Sequence, residues 1–179
     1  MSATNPFGIL KQQPRYKIDI DALTSAYLEV QNSCHPDRFI NQPKEVQLEA
    51  QNKSAAVNAA YQELKDPVKR AAAVMRLMKI SIPGEGDNTV ADEATLMEAM
   101  ELREKLAELE SPAELQEFIA AASDKFKDLQ NEIDQEILAV SKNTHESERV
   151  RAVYLSLNFY AKLISSAQQQ YQKLSVKIR

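Results

Sequence analysis

The sequence predicts an all-α protein, because its composition favours helices and its apolar residues recur at helical spacing. The strong helix formers Ala, Glu, Leu, Lys and Gln occupy 85 of the 179 positions, whereas glycine occurs 3 times and tryptophan never. Apolar residues follow one another at intervals of three and four along most of the chain. We therefore expect an N-terminal antiparallel helical hairpin with flanking helices, linked to an antiparallel three-helix bundle.

The helix-breaking residues divide the chain into two parts. Residues 80–91 hold two of the three glycines and one proline between two helical regions, which is typical of a linker. We predict domains at 1–79 and 92–179, joined by a linker at 80–91. Residues 1–79 carry 11 basic and 8 acidic groups, net +3, and residues 80–179 carry 11 and 18, net −7. The small, dispersed positive charge argues against a nucleic-acid partner.

In the first part, two helices should pack against each other across a short loop. Asp19 is a suitable N-cap for the first helix, and Pro36 ends it. A second helix should start near Pro43 and end before Asp66, and Pro67 should open a third. The predicted inner faces of these three helices are Ile20, Leu23, Tyr27, Val30 and Cys34; Val46, Ala50, Ser54, Val57, Tyr61 and Leu64; and Val68, Ala71, Ala72, Met75 and Met78.

The second part predicts three long helices. The first runs from about Asp92 to Glu110. Ser111 and Glu114 then form a capping box with Pro112 at the first helical position, so a second helix starts there. The last should follow residues 141–144. Heptad-like apolar stripes run from Leu115 to Val140 and from Val150 to Ile178.

One face of the helix at 92–110 departs from a simple bundle pattern. On a helical wheel, large apolar groups and carboxylates share an outward arc of roughly 140°. These residues are Leu96, Met97, Met100, Glu101, Glu104 and Glu108. In the last helix, Leu155 and Phe159 also lie opposite the inner stripe. Methionine adapts to partner shapes and an aromatic ring can anchor binding, so the pattern indicates a binding surface with a basic partner. The alternative is that these side chains pack on the N-terminal domain or on a neighbouring helix.

The loop between the two N-terminal helices contains His35-Pro36-Asp37, followed by Arg38 and Phe39. With the segments PFGIL, RYKID and LMEAMELREKL, it makes the chain resemble the HscB family of J-type co-chaperones over nearly its whole length. This resemblance implies an N-terminal J-domain, a C-terminal three-helix bundle and a role in iron–sulfur cluster assembly. The alternative for the tripeptide itself is an ordinary helix stop followed by an Asx turn.

The resemblance also implies the two partners and their binding residues. His35, Pro36 and Asp37 would engage an ATP-bound HscA-type chaperone of the DnaK class and trigger its ATPase, with Arg38 touching the same partner. The scaffold protein IscU would bind Leu96, Met97, Met100, Glu101, Glu104, Glu108 and Phe159. One departure concerns the helix at 19–34, where J-domains usually carry Lys and Arg but this chain has none.

Other functions are disfavoured by what the sequence lacks. No run approaches the roughly 20 apolar residues of a membrane helix, and the N-terminus lacks a secretion signal, so we expect a cytoplasmic protein without a membrane partner. Cys34, His35 and His145 are too few for an ordinary zinc site. Glycine-rich phosphate loops and hydrolase motifs are missing, so we expect no cofactor and no enzymatic activity. Two alternatives remain: a J-protein with another client, or a helical adaptor without chaperone coupling.

Overall fold

The computed structural model describes residues 5–83, 93–140 and 147–177 of the chain. These residues form seven α-helices and one 3-10 turn, and no strand occurs within them, as the all-α prediction requires. None of the helices in the described ranges is long and apolar enough to cross a lipid bilayer. The elements are α1 (Pro6–Ile9), α2 (Ile20–Cys34), the 3-10 turn (Pro36–Phe39), α3 (Lys44–Lys65), α4 (Pro67–Leu77), α5 (Glu93–Glu108), α6 (Pro112–Val140) and α7 (Ser147–Lys177).

Contacts divide the chain into two compact units, Met1–Ile80 and Ser81–Arg179. The predicted linker begins at Ile80, but this side chain is buried and its N–H donates to the Met75 carbonyl oxygen at 2.9 Å. The rest of the predicted linker lies largely outside the described residues, at 84–91. The domain boundaries therefore stay a prediction.

The first unit is organised by an antiparallel α2–α3 hairpin. Polar and aromatic pairs set its register: Tyr27 stacks on Tyr61 with ring centroids 4.3 Å apart, and the Gln31 Nε2 donates to the Ser54 Oγ at 2.8 Å. Asp19 caps α2 as predicted, because its carboxylate accepts hydrogen bonds from the N–H groups of residues 21 and 22. The prediction that Ile20 faces inward is wrong, since its side chain is 39% exposed. Ile20 is the first residue of α2, so it lies at the end of the hairpin, where the core covers its side chain only in part.

A small core closes the other side of α3. Phe7 and Leu10, from α1 and its C-cap, are fully buried, and α1 packs on α3. The Arg70 guanidinium on α4 is also buried; it donates to the Leu64 carbonyl oxygen at 2.7 Å and lies 5.1 Å from the centroid of the Tyr16 ring. Burial lowers the pKa of Arg70. Buried side chains therefore join both α1 and α4 to α3.

In the second unit, α6 and α7 pack along their lengths and α5 rests on α7. The predicted capping box is confirmed: the Glu114 N–H donates to the Ser111 Oγ at 3.2 Å, and the Ser111 N–H donates to the Glu114 carboxylate at 3.2 Å. The inner residues expected for α6 and α7 are largely buried. The α5 helix ends at Glu108, two residues earlier than predicted, and Asp92, residues 141–144 and Ile178 lie outside the described residues.

The α5 helix is held by a few specific contacts, because it packs little on α6. An open groove of about 520 Å³ separates α5 from α6 and is lined in part by Leu102, Leu109, Phe118 and Tyr160. At the C-terminal end of α5, the Gln170 Nε2 of α7 donates to the Leu109 carbonyl oxygen at 2.8 Å and to the Leu106 carbonyl oxygen at 3.3 Å. This side chain satisfies carbonyl groups that a helix end leaves unpaired.

Candidate functional site

The tip of the α2–α3 hairpin is shaped by Pro36. A residue before proline is driven to an extended conformation, and His35 accordingly has φ −60° and ψ 128°, which ends α2 at Cys34. Pro36 then starts the 3-10 turn, where its missing N–H costs nothing. The side chains of His35 and Asp37 are 48% and 78% exposed. The turn therefore presents an imidazole and a carboxylate to solvent on a backbone with little freedom.

Hydrogen bonding also orients the imidazole of His35. Its Nδ1 accepts the Asp37 N–H at 3.3 Å and lies 3.6 Å from the Asp37 Oδ2. With Nδ1 turned towards Asp37, Nε2 is the ring nitrogen left to meet a partner. Together, Nε2 and the Asp37 carboxylate give the tip two polar groups for that partner.

Arg38 has a structural partner within its own hairpin. Its Nη1 donates to the Asn32 carbonyl oxygen at 3.0 Å, in the last turn of α2. Arg38 remains exposed, so it closes the tip while leaving part of its guanidinium in solvent. Phe39, the next residue, is half-buried.

Exposed apolar side chains occur on the hairpin on both sides of this tip in the sequence. Ile40, directly after the 3-10 turn, is 64% exposed, and Leu48 on α3 is 58% exposed. Leu28 is 52% exposed and lies two helical turns before His35 on the same side of α2. The α2 helix itself carries no Lys or Arg, and the exposed cations next to the tip in the sequence are Arg38 and Lys44.

The outward arc predicted on α5 is exposed in the structure. Leu96, Met97 and Met100 are 55%, 56% and 60% exposed, and the carboxylates on the same arc are exposed as well: Glu101, Glu104 and Glu108. These six residues and Phe159 are called the α5 surface below. Large apolar groups that stay this exposed in a folded unit, rimmed by charge, are typical of interaction sites. The alternative, that α5 buries them against a neighbour within its unit, does not hold.

Phe159 connects the α5 surface to α7. Its ring is half-buried, with the Arg103 Cζ of α5 5.2 Å from the ring centroid and the Tyr160 ring edge-on at 5.4 Å. The Tyr160 O–H donates to the Glu98 carboxylate at 2.6 Å. Burial and the Glu98 carboxylate raise the pKa of Tyr160, so this donor keeps its proton at neutral pH. Two neighbouring residues of α7 thus each contact a different residue of α5.

The sequence reasoning did not identify Arg103, Glu98 and Tyr160 as partners around Phe159. Tyr160 falls on the predicted inner stripe from Val150 to Ile178, and Arg103 lies just outside the outward arc of α5 on the wheel. A helical wheel treats one helix at a time, so it cannot report a contact between α5 and α7. The sequence does hold one signal for Arg103. On the helical wheel of α5 it lies next to Leu96, just beyond the edge of the outward arc.

Comparisons with known proteins identify the family. The family model described as the HSCB C-terminal oligomerisation domain matches residues 91–168. The co-chaperone protein HscB homologue of Shewanella sp. (strain MR-4) is 34% identical over 161 residues, 89% of this chain and 92% of that protein. The corresponding homologue of Haemophilus ducreyi is 32% identical over 170 residues, 95% of this chain and 97% of that protein.

Solved structures agree with this result. The chaperone HscB from Vibrio cholerae has a TM-score of 0.80 and 26% identity, covering 96% of this chain and 99% of that one. Human co-chaperone protein HscB has a TM-score of 0.84 over 95% of this chain and 83% of that one, and at 23% identity it supports the fold alone. The fold is therefore a J-domain followed by a C-terminal helical bundle, and the chain belongs to the HscB family of co-chaperones.

Proposed function

We propose that this protein binds an IscU-type iron–sulfur scaffold, delivers it to an HscA-type chaperone of the DnaK class and stimulates that chaperone's ATPase. The observation that carries the proposal is the exposure of two unlike surfaces, the His35–Asp37 tip in one compact unit and the α5 surface in the other. Membership of a co-chaperone family supports the same role. The nucleotide would be hydrolysed on the chaperone, so this chain needs no catalytic group of its own.

The tip would act as a preorganised recognition element. Pro36 restricts the backbone, so that holding the imidazole and the carboxylate in place costs little further entropy on binding. The Asp37 carboxylate could form a charge-assisted, bidentate hydrogen bond with an arginine of the ATP-bound chaperone, while His35 Nε2 donates to an acceptor beside it.

We further propose that, besides Arg38, the chaperone docks mainly on apolar groups of the hairpin. Leu28, Ile40 and Leu48 are each more than half exposed there, whereas α2 offers no cation. Burial of apolar area depends little on ionic strength, but attraction between exposed charges is screened. Stimulation of the chaperone by this protein should therefore fall only slightly between low and physiological salt.

In the second unit, the α5 surface would bind the scaffold. Its exposed leucine and methionines supply apolar area that a partner can cover, and the glutamates favour basic groups on that partner. One molecule that binds chaperone and scaffold together raises their effective concentration for each other, which couples client capture to ATP hydrolysis without new chemistry. The location stays the one predicted from the sequence, the cytoplasm.

The test is the steady-state ATPase rate of an HscA-type chaperone with this protein, with and without an IscU-type scaffold. We expect stimulation by this protein alone and a further increase when the scaffold is added. No stimulation at saturating concentration would contradict the chaperone role and favour a helical adaptor. Stimulation that responds to unfolded proteins but not to IscU would indicate a J-protein with another client.

A further inference from the structure

Arg103 is a cation at the edge of a surface dominated by carboxylates. It lies on α5 next to Leu96 in the wheel projection, and its guanidinium carbon is 5.2 Å from the centroid of the Phe159 ring. The side chain as a whole is exposed. Arg103 therefore joins the α5 surface on the side that faces Phe159, although its charge is opposite to that of the glutamates.

No carboxylate neutralises Arg103 within the part of the chain that the structure describes. Residues three and four positions away are its neighbours on a helix, and here they are apolar: Ala99, Met100, Leu106 and Ala107. The ion pairs found among the described residues involve other arginines and lysines. The contact with Phe159 satisfies no N–H group, so the guanidinium retains its donors for a ligand.

We propose that Arg103 binds a carboxylate of the scaffold protein next to Phe159, an inference that rests on the function proposed above. The partner surface would then carry an Asp or Glu against Arg103 and basic groups against Glu101, Glu104 and Glu108. When the interface closes, the Phe159 ring excludes water from one side of the guanidinium, which strengthens a bidentate bond to a carboxylate. The positive charge of Arg103 and the negative charges of the three glutamates fix the orientation of the scaffold on α5. A scaffold bound in the reverse orientation would place like charges together.

A purely structural role for Arg103 is the competing explanation, and the structure separates the two. The α5 helix is attached to α7 by the Tyr160–Glu98 hydrogen bond and by Gln170 at its C-terminal end. Neither contact involves Arg103. Replacing the guanidinium should therefore leave the fold intact. If Arg103 contacts the scaffold, the same replacement should lower the affinity for the scaffold.

The experiment measures the dissociation constant of an IscU-type scaffold for the full-length chain carrying Arg103→Gln. The matched control is Lys105→Gln, which removes the same charge from an exposed side chain of the same helix, next to the groove instead of the α5 surface. We expect Arg103→Gln to weaken binding about tenfold, and Lys105→Gln less than about twofold. Arg103→Lys should recover part of the affinity, because it keeps the charge but not the bidentate geometry.

Double-mutant cycles then test the partner group. Each exposed Asp or Glu of the scaffold is changed to its amide and combined with Arg103→Gln. We expect one scaffold carboxylate whose loss is strongly non-additive with Arg103→Gln, as a direct contact requires. Additive effects with every acidic residue would overturn the inference even if affinity falls, because they indicate an indirect effect.

The outcome for the wild-type chain separates this inference from the proposed function. If the wild type binds the scaffold, Leu96→Ala weakens binding and Arg103→Gln does not, the carboxylate contact is wrong and the scaffold role stands. If the wild type does not bind the scaffold at all, the proposed function fails and this inference fails with it.

Discussion

The substitution Leu96→Ala tests the α5 surface most directly, because its effect follows from the exposure of one side chain. Leu96 is 55% exposed in the free protein, so slightly more than half of its surface remains to be covered by a partner. Full burial of a leucine contributes about 1.5 to 3 kcal/mol. Covering the exposed part is therefore worth about 0.8 to 1.7 kcal/mol, and alanine keeps a small share of it, so Leu96→Ala should weaken the complex about three- to tenfold.

Isothermal titration calorimetry with an IscU-type scaffold measures this loss. The matched control is Leu138→Ala on α6, where a leucine is 57% exposed but lies outside the α5 surface. Both variants should have nearly the thermal stability of the wild type, since each side chain is more than half in solvent. Unchanged affinity for Leu96→Ala, or an equal loss for Leu138→Ala, would refute the assignment of the α5 surface as the scaffold site.

The remaining predictions concern the tip, a helix cap and a buried phenol. Asp37→Asn should abolish ATPase stimulation of an HscA-type chaperone without altering the far-UV circular dichroism, because this side chain is 78% exposed; retained stimulation would exclude the proposed role of the tip. Ser111→Ala should lower the free energy of unfolding by about 1 kcal/mol in urea titrations, whereas Ser166→Ala, exposed in mid-helix on α7, should not. The pKa of Tyr160 is raised in the folded state, so its contribution to stability is complete below about pH 10, where unfolded tyrosine ionises, and is lost as the pH rises further. Urea titrations at about pH 9 and about pH 11 should therefore show a larger loss of stability for the wild type than for Tyr160→Phe, and equal losses would contradict this coupling.

Local signals in the sequence predicted the N-terminal unit well. Asp19 caps α2 and Pro67 opens α4 as expected, and Pro36 ends α2 where its steric effect requires. These are interactions between residues a few positions apart, which a single sequence reports directly. Arg70 shows the limit of such reasoning, because its burial beside Tyr16 depends on α4 folding back towards residues far away in the chain.

By itself, the sequence determined the helices, the caps, the rigid tip at His35–Asp37 and the apolar-acidic pattern on α5, because propensity and helical periodicity act within one turn or one helix. Only the tertiary structure decided that this pattern stays exposed, that α5 rests on α7 beside an open groove, and that Arg103 lies against Phe159. The physical reason is that exposure and contacts between helices depend on which faces are covered after packing, a property of several helices together that the period of one helix does not contain.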